Sequence, residues 1–152
     1  MRKSTIRKAF TLVEILIVVV ILGILAAIVV PQFTSATQDS QAGNIKSQLG
    51  TLQRQIELYQ AKNNSYPAFA TEAWGTTADV TSMIGGNFIK AAPVNPAWPD
   101  QTAAARSTIS VITTAGTRGS ATTGWVWNSA DTSIYASHFN ETTGVVSATA
   151  TD

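Results

Sequence analysis

The sequence predicts an α+β fold: one long N-terminal α-helix, hydrophobic in its first half, whose second half packs on a small antiparallel β-sheet head. Three observations carry this. The run from Phe10 to Phe33 is apolar with Glu14 as its only charge. Ile45, Leu49, Leu52, Ile56 and Tyr59 follow at spacings of four, three, four and three, which puts them on one stripe of a helix. From Arg106 onward the apolar pattern shifts to period two, the mark of half-buried strands.

The first nine residues are short and basic, with Arg2, Lys3, Arg7 and Lys8. Basic flanks of this kind stay on the cytoplasmic side of a membrane span. Residues 10–33 follow, and about 20 helical residues cross a hydrocarbon core of ~30 Å. A cleavable secretory signal is the rival reading, since Thr34-Ser35-Ala36 offers small residues for cutting. The apolar run exceeds the usual signal length, however, and Glu14 interrupts it where such a region is purely apolar. The helical pattern also continues past Pro31, through residues 34–62, to a stop at Lys62-Asn63-Asn64-Ser65 and Pro67. One helix of about fifty residues is expected. An ionised side chain at the centre of a bilayer costs roughly 2.5–3.5 kcal/mol, less near the interface, so Glu14 requires a purpose.

Residues 63–152 form the predicted head. Thr76 or Thr77 is expected to cap a short helix through Ala78, Val80, Met83 and Ile84, ended by Gly85-Gly86. Phe88 to Pro99 carries Pro93, Pro96 and Pro99 and reads as a rigid extended connector. Strands are expected at 107–113, 122–128, 132–139 and 144–149, in an antiparallel meander. Trp125 and Trp127 share one strand face, with Val126 on the other, and are expected to fill the space between sheet and helix stripe.

The charge distribution narrows the function. The chain has ten Lys/Arg and nine Asp/Glu, but residues 1–9 hold four of the basic groups and no acid. The remainder is therefore six against nine, a net −3, which disfavours a nucleic-acid surface. The absence of cysteine excludes disulfides, thiolate metal sites and cysteine nucleophiles. His138 is the only histidine and falls in an expected strand, where a surface or half-buried structural role fits it. No phosphate loop, HExxH or GxSxG is present, so no enzymatic activity and no cofactor are expected.

Lys8-Ala9-Phe10-Thr11-Leu12-Val13-Glu14-Ile15-Leu16 resembles the class III signal of type IV pilins and of the pseudopilins of type II secretion. The resemblance covers residues 7–62 and is architectural beyond them. It implies that residues 1–9 are a leader, cut between Ala9 and Phe10 by a prepilin peptidase that N-methylates Phe10. Ala9 stands where the family usually has Gly. The resemblance further implies that Glu14 sets subunit register in assembly by pairing with the amine of Phe10 in its own or a neighbouring subunit. Gly23 and Pro31 match two positions that bracket a stretch able to unwind in an assembled filament; a simple kink is the alternative there.

The expected function is thus a subunit that polymerises through its N-terminal helix into a pseudopilus-like filament used for protein export. A type IV pilus subunit for adhesion, motility or DNA uptake is the alternative, and a membrane-anchored ligand-binding module is the alternative of another class. The implied partners are copies of itself and related pilins, the prepilin peptidase, an inner-membrane assembly platform and, before assembly, the membrane. The expected location is a single pass of the cytoplasmic membrane with the head in the periplasm or outside. Major pseudopilins often bind calcium in their last loops, but here only Asp131, Glu141 and Asp152 are late carboxylates, against the six to eight oxygens calcium takes.

Overall fold

The computed structural model describes residues 10–99, 104–119 and 122–147. Helix α1 runs from Leu12 to Asn63, 52 residues, and continues through Pro31. Pro31 has no N–H for the helical ladder, and hydroxyls gather around it. Ser35 Oγ donates to the carbonyls of Gln32 (3.0 Å) and Pro31 (3.4 Å), and Thr37 Oγ1 to that of Phe33 (2.8 Å). The helix ends where Asn64 takes a left-handed φ of 54°, a conformation Asn tolerates better than most residues. The chain divides between Thr37 and Gln38 into two compact units, and α1 contributes to both.

In the second unit, α1 supplies one wall of the core. Ile45, Leu52, Ile56 and Tyr59 are buried and Leu49 is partly buried against them. Ile45 and Ile56 are wholly inaccessible, and burying a side chain of that size contributes about 1.5–3 kcal/mol. The opposite wall is a three-stranded sheet of β1 (Ile109–Ile112), β2 (Trp125–Asn128) and β3 (Ser133–Ala136), in that spatial order. Trp125 and Trp127 from the central strand join the same core, as do Ile134 and Phe139. A separate two-stranded ribbon, β4 (Phe139–Asn140) and β5 (Val145–Val146), closes that end of the head.

The class is α+β with a long N-terminal helix, and four details differ from expectation. First, the sheet is mixed: β1 and β2 are parallel, Ile109 opposite Trp125, while β2 and β3 are antiparallel, Trp125 opposite Ala136. Residues 113–124 between β1 and β2 are long enough to carry the chain back along the sheet, whereas a hairpin would need only a short turn. Second, the expected helix over residues 76–84 is a succession of turns. Asp79 Oδ1 accepts from the backbone N–H and hydroxyl of Thr81, and Ser82 Oγ donates to the Asp79 carbonyl while accepting from Gly85 N–H. These local bonds compete with the helical ladder. Helical turns form elsewhere, as α2 (Phe69–Glu72) and a 3-10 turn (Ala104–Ser107).

Third, the strand expected over 132–139 breaks at His138, which has a φ of 62°. The carbonyl of Ser137 is taken by the Asn95 side chain, so the chain turns into β4. Fourth, Val126 is as fully buried as Trp125, so both faces of β2 are covered. The strand expected at 144–149 is β5 for Val145–Val146, and residues 148 and 149 lie outside the described residues.

Side-chain amides hold this small core in register. Asn95, fully buried in the proline-rich connector, donates to the carbonyls of Gly124 and Ser137 at 2.7 Å each, and its Oδ1 accepts from Ala97 N–H. Asn128 donates to Thr114, Thr117 and Asp131, fastening the crossover to β2. Gln53 of α1 accepts from Ile134 N–H of edge strand β3 and donates to the carbonyl of Thr132, the residue before it. Asn95→Ala would remove the donor to the Ser137 carbonyl and the acceptor of Ala97 N–H, while the Gly124 carbonyl would keep Ser137 N–H. Denaturant unfolding of the variant should show a loss of roughly 2–5 kcal/mol, and an unchanged midpoint would contradict the bridging role.

Candidate functional site

The first turn of α1 is where the chain's unusual carboxylate sits. Thr11 precedes the helix and Glu14 is its third residue. Glu14 Oε2 accepts from Thr11 N–H at 2.8 Å and from the Thr11 hydroxyl at 2.9 Å, while Thr11 Oγ1 accepts from Glu14 N–H at 3.2 Å. This is a reciprocal capping box: each residue satisfies a backbone N–H that the helix start leaves without a partner. The carboxylate also lies at the positive end of the helix dipole, a favourable placement of about 0.3–1 kcal/mol at exposed sites. Thr11 is the functional residue that the expectations above omit. Its signal is the Thr-x-x-Glu spacing ahead of an apolar run.

Phe10, immediately outside the cap, is 81% exposed. Ala9, its expected partner in cleavage, lies outside the described residues. The large apolar side chains from Leu12 to Phe33 are exposed throughout. Gly23 lies within this stretch, and a Cβ built there would meet no atom within 4 Å. The helix is long and apolar enough to cross a membrane, and its apolar window is wholly uncovered. Apart from the donor that Pro31 lacks, its backbone is paired within the helix, and the larger unsatisfied feature is the apolar surface itself.

The head offers little that resembles reaction chemistry. His138 is buried, packed edge-on against Trp98 with ring centroids 5.0 Å apart, and its Nδ1 lies 3.3 Å from the Ser147 carbonyl. It is thus an interior packing residue, more enclosed than the surface or half-buried role expected of it. Trp125 and Trp74 donate their indole N–H groups to the carbonyls of Pro93 and Ser107. Glu141 is partly buried, and that burial raises its proton affinity above the usual carboxylate range, with Arg118 pulling the other way.

The prokaryotic N-terminal methylation motif family matches residues 5–30. The type II secretion system core protein G of Vibrio cholerae is 34% identical over 104 residues, covering 63% of this chain and 67% of that protein. This chain belongs to the type IV pilin and type II secretion pseudopilin family. The core protein G of Pseudomonas aeruginosa is 40% identical over 62 residues, 41% of this pseudopilin-family chain and 44% of the relative, so the match spans less than half of that protein's length. A type IV major fimbrial protein of Dichelobacter nodosus is 43% identical over 54 residues, 36% of this chain and 35% of that one. No solved structure matches this pilin-like chain.

Among the described residues, the late carboxylates of the head do not gather into the oxygen-rich set that calcium takes. Asp131 Oδ2 already accepts from Gly116 N–H and Asn128 Nδ2, both at 2.9 Å. Glu141 has the Arg118 guanidinium as its electrostatic neighbour, and Asp152 lies outside the described residues. Among the described residues no three acidic or histidine side chains converge. Within the pilin-type helix, the cap can be tested alone. Thr11→Ala should weaken the start of α1 by about 1 kcal/mol, read as roughly fivefold faster amide exchange at Val13 and Glu14 in detergent micelles. Unchanged exchange would contradict the capping role.

Proposed function

We propose that the chain is a major pseudopilin, a structural subunit that polymerises through α1 into a type II secretion filament used for protein export. The observation that carries this is the exposed apolar stretch of α1 headed by a single carboxylate. Before assembly that stretch spans the cytoplasmic membrane, with the basic residues 2–8 inside and the head outside. During assembly it leaves the lipid and packs with the same stretch of other copies. Repeated contacts whose rotation does not close give a helical filament.

The processing residues on this reading are Ala9 and Phe10. A prepilin peptidase cuts between them and methylates the new amine. Glu14 then serves twice. Through Thr11 it caps its own helix, and through its charge it pairs with the Phe10 amine of its own or a neighbouring subunit. Within an apolar filament core, leaving either charge alone is strongly unfavourable, so the pair fixes the height at which a subunit docks. Gly23 and Pro31 supply a stretch of lower helix propensity in the packed segment. The assembly platform and related pilins are the remaining partners, and the filament needs no cofactor. The fimbrial relative keeps a type IV pilus subunit as the second reading.

One experiment separates the steps. Expressed with a prepilin peptidase and an assembly platform, the parent chain should begin at methylated Phe10 and form filaments. Glu14→Gln retains the capping geometry, because Gln serves the same box. It should be cut and inserted like the parent but form no filaments. A mature terminus after Ala36 would refute the filament reading, and normal filaments from Glu14→Gln would refute charge pairing.

A further inference from the structure

A cavity of about 330 Å³ in the head carries a charge of each sign in its wall, the guanidinium of Arg118 and the carboxylate of Glu141. They lie close enough for Arg118 to favour the ionised form of Glu141. Yet among the described residues neither charge is closed by an ion pair or a hydrogen bond. Arg118 lies over the Tyr135 ring, 5.3 Å from its centroid, a contact that holds the guanidinium and leaves its N–H donors unspent. Glu141 Oε1 is shut off from solvent without a donor, and the same is not true of Oε2.

The other polar groups of the wall are already committed. Gln53 spends its amide on Ile134 N–H, the Thr132 carbonyl and Glu57. Ser133 Oγ donates to the Asp131 carbonyl. What remains is apolar or bare: Leu49 and Ile134 line the cavity, and a Cβ built at Gly50 would meet no atom within 4 Å. A half-buried carboxylate without a donor and a guanidinium without an acceptor are both unfavourable, and a single ligand bearing an ammonium and a carboxylate would complete both. Ligand pockets run from about 300 to 1,000 Å³, so this one suits a small molecule.

We propose that this cavity binds a free α-amino acid with an apolar side chain, its carboxylate on Arg118, its ammonium on Glu141 and its side chain against Leu49, Ile134 and the bare helix at Gly50. The opposed charges set the specificity. A carboxylate alone would leave Glu141 unpaired, and an amine alone would leave Arg118 unpaired. The ligand would touch α1, β3, the segment before β2 and the residue after β4, so binding ties four parts of the head together and stabilises it by mass action. The site lies within the head and does not depend on the filament reading.

The test titrates the full-length chain in detergent micelles with L-leucine, 4-methylpentanoate and 3-methylbutylamine. The last two keep the leucine carbon chain but lack the ammonium and the carboxylate respectively. Leucine at millimolar concentration should shift the amide resonances of Gly50, Tyr135 and Glu141 to saturation and raise the melting temperature of the head. Each analogue should bind roughly tenfold more weakly or worse, and so should leucine to Arg118→Gln or Glu141→Gln. Gly50→Leu keeps both charges, fills the cavity from the helix side and should abolish binding without lowering the melting temperature. Should either Gln variant melt below the parent, Gly50→Leu decides. No saturable shift with leucine, equal binding of either analogue, or undiminished leucine binding to Gly50→Leu would overturn the site.

Discussion

The structure depends on a helix that satisfies most of its own backbone and little of its own apolar surface. From Leu12 to Phe33 the helical ladder closes most N–H and C=O groups, with the cap at Thr11 and the break at Pro31 as exceptions, while the large side chains remain exposed. Such a segment is stable only in lipid or against other apolar helices, and the same chemistry suits both. The capping box of Thr11 and Glu14 explains how a charge is tolerated at its start. Two donors from Thr11 converge on one carboxylate oxygen, so the charge enters an apolar setting already hydrogen-bonded. A carboxylate held this way costs less than a bare one and keeps its charge available.

The head meets a different constraint, that of holding a small core without a disulfide. Its answer is a chain of aromatic contacts and buried amides. Tyr66 and Phe69, just beyond α1, pack against Trp127 at 5.3 and 5.6 Å, and Phe69 meets Trp74 at 5.3 Å. These contacts return the chain over the sheet directly after the helix. Asn95, Asn128 and Gln53 then satisfy carbonyls and an edge-strand N–H that loops and a short sheet would otherwise leave exposed or orphaned. Gly124 marks a close approach of two backbone segments: a Cβ there would lie 2.2 Å from the Arg106 carbonyl oxygen.

What was legible in the sequence follows from range. The stripe from Ile45 to Tyr59 is a local periodicity, and a 3.6-residue repeat has one geometric meaning. Strand positions were legible because alternation is local as well. Strand direction was not, since twelve residues between β1 and β2 suit either a loose hairpin or a crossover, and the choice is made by distant packing. The turns from Thr76 to Gly86 carry apolar residues at helical spacing, but Asp79 and Ser82 spend their side chains on nearby backbone and divert the ladder. At the site, Glu14 stood out because a charge in an apolar run is anomalous, whereas its partner Thr11 is unremarkable until the spacing of three is noticed. The proximity of Glu141 to Arg118 depends on tertiary structure and has no sequence signature.

On this account one carboxylate is shared between a local and an intermolecular task. In the single chain it belongs to Thr11; in the filament its charge also faces an amine. The most direct test is a cryo-electron-microscopy reconstruction of the assembled filament at side-chain resolution. The account predicts apolar segments of α1 bundled at the filament axis, with each Glu14 carboxylate within hydrogen-bonding distance of a Phe10 amine. A filament joined through the heads alone, or one with Glu14 turned to solvent and away from every Phe10, would contradict it.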